Sequence, residues 1–368
     1  MPTILQFGTG RFLRGFFDCI IPHANAVTVV QSRINSNGAE LINRHSEGYQ
    51  VWTRGKQDGK IIDETTSVNS LARGLDANKQ WANVVEAGLS HDLQLIVSNT
   101  TEAGLSLSPH DNAADLLANC PESYPAKLLS LLFQRYRARC PGITILPLEL
   151  VEYNANQLRA LVKQQALTNP LTADSGFIEW LESDNRWLNN LVDRIVVNVS
   201  DPPPWGYEDP LAVVAEPYRM LAIQDDGGDR KILPQHPMIL WSKNLQPLFI
   251  RKVRILNGLH TAMVARSLPR GFDTVLDVMR NAEERSWYEA LLKEEIIPAL
   301  QARDMDERAF AAEVLERFEN PFFQHRLADI ANGHDKKLTT RIQPTIDDFR
   351  TAFGKEPVRL NEIIAATH

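Results

Sequence analysis

Thr3-Ile4-Leu5-Gln6-Phe7-Gly8-Thr9-Gly10-Arg11-Phe12-Leu13-Arg14-Gly15-Phe16 decides the fold class. Thr3 to Phe7 has the composition of a short buried strand, Gly8-Thr9-Gly10 is a turn, and Arg11 to Ile20 carries apolar residues at helical spacing. A strand, a glycine turn and a helix start form the opening of a dinucleotide-binding unit. Glycines let the backbone approach a pyrophosphate, and the N–H groups at the helix start meet its charge. The match to G-x-G-x-x-G is incomplete, because Leu13 occupies the third glycine position and Gly15 follows two residues later. A P-loop fits worse: Gly10 and Gly15 have its interval, but Phe16 stands where lysine is required. The expected coenzyme-facing segment is therefore Gly8-Thr9-Gly10, flanked by Phe7, Arg11 and Phe12.

Downstream, Ala26 to Gln31 is a β-branched run suited to a second parallel strand, at whose end a dinucleotide site usually carries a carboxylate for the adenine ribose. Here Gln31-Ser32-Arg33 stands in that place, so the segment admits NADP as well as NAD. Val51 to Arg54 and Lys60 to Asp63 flank Asp58-Gly59 and read as a hairpin decorating the nucleotide-binding domain. Asp92 to Ser98 is the next buried strand. It runs into Asn99-Thr100-Thr101-Glu102-Ala103-Gly104, where Ser98, Asn99, Thr100 and Glu102 could hold the nicotinamide ribose or simply cap the following helix. Gly142 to Pro147 continues the βαβ rhythm and Arg194 to Val199 adds a later strand, closed by Asp201-Pro202-Pro203-Pro204. Beyond about Leu248 the periodicity is helical. The expectation is an α/β protein, with a Rossmann-like doubly wound domain over residues 1–240 and a mostly α-helical substrate domain over residues 241–368. Coenzyme and substrate are expected in the cleft between the two.

The helical part opens on Arg251-Lys252-Val253-Arg254-Ile255-Leu256-Asn257-Gly258-Leu259-His260. With a helix from Leu256, Asn257 and His260 are three residues apart and share a face, and Lys252 lies upstream where a loop or first turn could swing it back. An amide, an imidazole and a lysine meeting over one oxygen suit a carbonyl that gains charge as hydride arrives and must exchange a proton. The same spacing also suits an amphipathic helix with Leu256, Leu259 and Met263 in the core and the three polar residues solvated.

Composition narrows the classes. A net charge of -7 with no Lys/Arg-rich run gives no electrostatic footprint for nucleic acid. No apolar stretch approaches the roughly 20 residues needed to cross a bilayer, and Met1-Pro2-Thr3-Ile4 has no charged signal-peptide start, so a cytoplasmic protein is expected. Cys19, Cys120 and Cys140 are odd in number and scattered, which fits reduced thiols. Cys19 with His23 makes at most half a metal site, so no metal is expected. No G-x-S-x-G elbow occurs.

The segments Gln6 to Phe16, Ser98 to Gly104 and Lys252 through Asn257 to His260 together resemble the polyol-specific long-chain dehydrogenases, the mannitol dehydrogenase family. Leu146-Pro147-Leu148-Glu149-Leu150 with Asn154, Ala215-Glu216-Pro217-Tyr218 and Arg317-Phe318-Glu319-Asn320-Pro321 extend the resemblance through most of the chain. Within the family the chain looks most like the branch that interconverts tagaturonate and altronate, although Ala155 stands where a glycine commonly follows the asparagine. The resemblance implies metal-independent hydride transfer with NAD, and a keto sugar acid or polyol as the small-molecule partner. It makes Lys252 the general acid/base and has Asn257 and His260 hold and polarise the reacting oxygen. It places Asn154, His325 on a helix, Lys337 and Arg341 at the substrate. Read as residues alone, Lys336, Lys337 and Arg341 also suit a solvated basic face. A mannitol- or mannonate-type dehydrogenase and a non-catalytic nucleotide-binding regulator are the alternatives. The oligomeric state stays open.

Overall fold

The computed structural model describes residues 3–100, 104–111, 116, 119–303, 305 and 307–366. β1 (Ile4–Phe7) and β2 (Val27–Gln31) pair in parallel and are followed by a hairpin of β3 (Tyr49–Gln57) and β4 (Lys60–Val68). β5 (Leu71–Asp76), β6 (Leu95–Ser98), β7 (Thr144–Pro147) and β8 (Arg186–Trp187) complete the first sheet in the order β5-β2-β1-β6-β7-β8, with parallel pairings throughout. Counting only the strands of this sheet, that is the 3-2-1-4-5-6 order of a doubly wound dinucleotide fold, and the order reverses between β1 and β6.

Every residue of β1 and β2 is buried, as in a parallel sheet covered on both faces. Ile4, Val29, Leu95 and Val97 pack on the face covered by α1 (Arg11–Phe16) and α2 (Gly38–Arg44), through Leu13, Phe16 and Ile42. Leu5, Phe7, Val30 and Ile96 face the opposite layer. That layer consists of α3 (Ala77–Gly88), α4 (Tyr124–Arg137), α5 (Asn154–Thr168) and α6 (Ser175–Ser183). It contributes Trp81, Leu128, Leu132, Leu158 and Phe177.

The remaining strands are β9 (Asn190–Asp193), β10 (Val196–Asn198), β11 (Val213–Ala215), β12 (Met220–Gln224) and β13 (Ile239–Ser242). They form two smaller sheets, β10-β11-β3-β4 and β13-β12-β9. The later strand expected within Arg194 to Val199 is β10. The run Arg194 to Val199 does not join the parallel sheet; β10 pairs antiparallel with β11. The sixth parallel strand is the two-residue β8, too short and too polar to show in the pattern. Gly15, displaced from the third fingerprint position, is still a packing glycine. A Cβ there would stand 2.6 Å from Val196 and 3.2 Å from Val213, so α1 rests directly on β10 and β11.

The chain divides into a first unit, residues 1–53 and 64–245, and a second, residues 54–63 and 246–368. The hairpin tip thus belongs to the helical unit, against the expectation that it decorates the nucleotide-binding domain. Asp58 and Gly59 adopt left-handed φ values of 53° and 75°, as a two-residue turn requires. Their N–H groups donate to the Glu316 carboxylate at 3.0 and 2.6 Å, and Lys56 pairs with Glu319 at 2.5 Å.

The second unit is otherwise helical. α7 (Gln246–Arg251) passes through a π turn, Lys252–Asn257, into α8 (Gly258–Arg266). α9 (Val275–Arg280) and α10 (Ala282–Leu291) follow, and a π turn Leu292–Ile296 leads into α11 (Ile297–Gln301). α12 (Arg308–Phe318), α13 (Leu327–Ile330) and α14 (His334–Lys337) come next. A last π turn, Leu338–Ile342, leads into α15 (Gln343–Phe353), and α16 (Val358–Ala365) closes the described chain. Two of the π turns stand just ahead of Pro298 and Pro344, whose rings have no N–H for the carbonyl four residues back and would clash with it in an α register. The turn at Lys252–Asn257 has no such proline after it. No helix among the described residues is long and apolar enough to cross a membrane.

Candidate active site

In the second unit, Lys252 does not lie in an upstream loop. It is the first residue of the π turn within one continuous rod, whose flanking residues Arg251 and Gly258 keep helical φ, ψ of -59°, -43° and -61°, -49°. The π register is what brings the three residues to one side. Five positions along an α-helix turn through about 500°, which would leave Lys252 and Asn257 about 140° apart. In a turn closed i to i+5, the fifth residue returns nearly above the first. Three further positions in α8 bring His260 back to the same side. Leu256, Leu259 and Met263 lie in the core, as an amphipathic helix would have them, but the polar face is not simply solvated: Lys252 and Asn257 are half-buried and His260 is 8% exposed.

His260 lies among the residues expected at the substrate. Its ring stands 4.6 Å from that of His325 at 71° and 4.5 Å from Phe318. Burial first, and then His325, Arg317, Arg341 and Lys337, hold its pKa well below the usual imidazole range, so it stays neutral. Its Nε2 is buried with no hydrogen-bond partner among the described residues. His325 is also depressed, by burial and by Arg317. It is not on a helix but on an extended segment whose carbonyl accepts from Val275 N at 3.0 Å, next to a bridge between Thr274 and Arg326. Arg341 Nη1 reaches Thr261 Oγ1 at 3.5 Å, and Thr261 donates to the Asn257 carbonyl at 2.9 Å. Lys337 Nζ donates to Ile330 O at 2.7 Å. Arg317 and Phe318, which complete this cluster, were not among the sequence-selected site residues. Both lie in the segment Arg317 to Pro321 that extends the family resemblance, and sit in the last turn of an amphipathic helix.

In the first unit, Gly8 has φ 131°, and a Cβ there would lie 2.9 Å from Leu13 Cδ1 and 3.0 Å from the Asn99 carbonyl. Only glycine fits where the ends of β1 and β6 come together, at the reversal of strand order. Gly10, by contrast, faces open space. Thr9 and Gly10 therefore form an outward-facing turn at the place where a dinucleotide fold holds its pyrophosphate, and the residues fit that group. Phe7 is fully buried with its ring 5.1 Å from Tyr124, so only its backbone can face a coenzyme. Arg11 Nε donates to Val196 O at 3.2 Å, and Phe12 stacks on Phe16 at 4.8 Å.

At the end of β2 the Gln31 amide is turned inward, donating to Ser36 O at 2.8 Å and accepting from Ala39 N at 3.0 Å. Ser32 Oγ is buried without a partner among the described residues, and Arg33 is exposed. Past β6, Ser98 Oγ, Thr100 N and Thr100 Oγ1 all donate to the Glu149 carboxylate, at 3.1, 2.9 and 2.9 Å. Asn99 Nδ2 donates to Leu148 O at 2.7 Å. Glu149, 1% exposed and with its pKa raised by burial, is thus the anchor of this turn, a role its sequence context did not reveal. Asn154 is 1% exposed, donating to Pro147 O at 2.7 Å and accepting from Ala155 N at 2.9 Å and Asn190 N at 3.1 Å. Glu102 lies outside the described residues. Among the described residues, no three His, Cys, Asp or Glu side chains are grouped to hold a metal ion.

The sequence matches the family model described as the mannitol dehydrogenase Rossmann domain over residues 2–233, and that of the mannitol dehydrogenase C-terminal domain over residues 244–368. The chain belongs to the mannitol dehydrogenase family. Among curated members of the family, an altronate oxidoreductase of Halalkalibacterium halodurans is 37% identical over 99% of this chain and 74% of its own length. That of Bacillus subtilis is 36% identical over 97% and 77%. Among solved structures of the mannitol dehydrogenase fold, a substrate-free D-sorbitol dehydrogenase superposes with a TM-score of 0.85 at 20% identity, covering 99% of this chain and 79% of its own. The Pseudomonas fluorescens mannitol 2-dehydrogenase, in ternary complex with NAD and D-mannitol, gives 0.78 at 18% identity, covering 99% and 78%.

Proposed function

We propose that this member of the mannitol dehydrogenase family is an NAD-dependent oxidoreductase that interconverts a secondary alcohol and a ketone on a hexuronate-type sugar acid, altronate and tagaturonate. The observation that carries this reading is the setting of His260. Its neutral Nε2 is buried without a partner among the described residues, on the same side of the rod as Asn257 and Lys252 and among the cations Arg317, Lys337 and Arg341. A neutral donor aimed at an oxygen suits the polarisation of a carbonyl, and the surrounding positive charge suits a substrate that also carries a carboxylate. Relatives at 36–37% identity that carry the altronate oxidoreductase name support the same substrate.

NAD, seated over Gly8-Thr9-Gly10, supplies the hydride acceptor when bound. The protein's own part is positional and protonic. Asn257 and His260 hold the substrate oxygen and stabilise the charge that develops on it. Lys252 takes the hydroxyl proton during oxidation and returns it during reduction. Lys337 and Arg341 hold the carboxylate and so fix which carbon is presented to Asn257 and His260. The test is incubation with altronate and NAD, followed by identification of the product: NADH should form in step with tagaturonate. No NADH from altronate at any pH, in a preparation that binds NADH, would rule the reading out.

A further inference from the structure

The glycine turn is gripped from behind by two side chains. Gln6 Nε2 donates to the Gly8 carbonyl at 3.3 Å, and Arg14 Nη1 donates to the Thr9 carbonyl at 2.5 Å. Both gripping residues are themselves fixed. Gln6, 1% exposed, also donates to the fully buried Asp18 Oδ2 at 3.3 Å. Arg14 Nε donates to Leu211 O at 2.8 Å, and its own carbonyl accepts from the Tyr49 hydroxyl at 2.8 Å. A trans peptide is planar, with its C=O and the next N–H on opposite sides. Holding the Gly8 carbonyl inward therefore turns the Thr9 N–H outward, and holding the Thr9 carbonyl inward does the same to the Gly10 N–H. Neither N–H has a partner among the described residues, and beyond Gly10 there is open space.

We infer that Gln6 and Arg14 are positioning residues for the coenzyme: they clamp the two carbonyls of the glycine turn so that the Thr9 and Gly10 N–H groups are already aimed at its pyrophosphate. The inference rests on the reading of this turn as the NAD site. The amides are thus fixed by one side chain before the turn in sequence and one after it. A clamp of this kind acts on binding and leaves hydride transfer alone, because neither residue touches the reacting atoms.

The experiment is NADH titration by fluorescence, together with steady-state kinetics, on the full-length wild type, Arg14→Met, Arg14→Lys and Gln6→Glu, with thermal unfolding as the check on folding. Arg14→Met should raise the NADH Kd and KM by about tenfold or more. Its kcat at saturating NADH should stay within about threefold of wild type, a split that general loss of structure does not produce. Arg14→Lys, which can reach one carbonyl but not two, should fall between the two, and Gln6→Glu should weaken binding with kcat kept. Wild-type affinity in folded Arg14→Met, or a kcat that falls in step with affinity, would overturn the clamp. A wild type that does not bind NADH at all would remove the coenzyme reading, and the clamp with it.

Discussion

His260 shows how residue-scale energetics shape the proposed chemistry. A histidine left in water would be partly protonated near pH 6.5 and would repel the cations beside it. Buried among Arg317, Arg341 and Lys337, it is held neutral, and the proposed mechanism gives the proton exchange to Lys252. Lys252→Ala should accordingly lower kcat by about a hundred- to ten-thousand-fold and remove the pH dependence of oxidation, with NADH affinity kept. A variant with near-normal kcat and an intact pH profile would overturn that role. Asn257→Ala should lower kcat by about a hundred- to a thousand-fold, again without weakening coenzyme binding. Asp18 allows a stability test. Burial raises its pKa from 3.8 to about 7, against the opposing effects of Gln6 and Arg14. Tyr49 and Cys19 also lie against it, and its carbonyl accepts from Ser70. The unfolded chain releases this proton near pH 4 and the folded chain near pH 7, so folding takes up a proton in between and stability falls as pH rises through that window. The full cost, on the order of 4 kcal/mol as an upper bound, is present above pH 7. In urea denaturation, Asp18→Asn should gain on wild type progressively from pH 4 to 7 and no further. A difference that stays constant with pH would contradict the assignment.

Among the elements, the π turn Lys252–Asn257 governs the site, and it was the feature hardest to read from the sequence. The i, i+3 spacing of Asn257 and His260 is visible to anyone who assumes a helix, and the structure keeps it. The place of Lys252 was not, because an i to i+5 turn leaves no mark in hydrophobic periodicity over six residues. The other two π turns could in principle have been suspected from Pro298 and Pro344, whereas this one has no proline to impose it. A π turn without a steric cause is a strained register that the surrounding packing must hold, and such turns cluster at functional sites. Inserting an alanine after Val253 would put Lys252 and Asn257 six positions apart, about 120° from each other in an α register, and so carry Lys252 off the shared side. Turnover should then fall at least about a hundredfold, with helix content by circular dichroism and NADH binding retained. Unchanged turnover in a folded insertion variant would mean that the alignment of Lys252 with Asn257 does not matter to the site. In contrast, β1, the glycine turn and the first helix were legible because a continuous apolar run and two glycines are strong local signals. Glu149 was not, since a buried carboxylate that gathers Ser98 and Thr100 is recognised only once β6 and β7 are neighbours.

Across the whole molecule, the doubly wound sheet followed from the alternation of apolar runs and amphipathic segments, and the reversal of strand order put Gly8 where that fold binds nucleotides. Two features needed three dimensions. One is the brief β8; the other is the hairpin tip, which joins the helical unit through Glu316 and Glu319, residues far away in sequence. Each unit carries one part of the proposed chemistry: the first has the outward-facing glycine turn, and the second has the Lys252-Asn257-His260 side with its cations. If Lys337 and Arg341 receive a carboxylate, Lys337→Ala and Arg341→Ala should each raise KM for tagaturonate by about tenfold or more, with KM for NADH unchanged. Equal effects on both KM values would argue for a structural role instead. The most direct test of substrate class is NADH oxidation by the wild type, with chelator present, against keto-uronates and neutral ketohexoses. Tagaturonate should turn over rapidly and insensitively to chelator, and fructose little or not at all. Preference for the neutral ketohexose, or no turnover of any keto-uronate despite NADH binding, would contradict it.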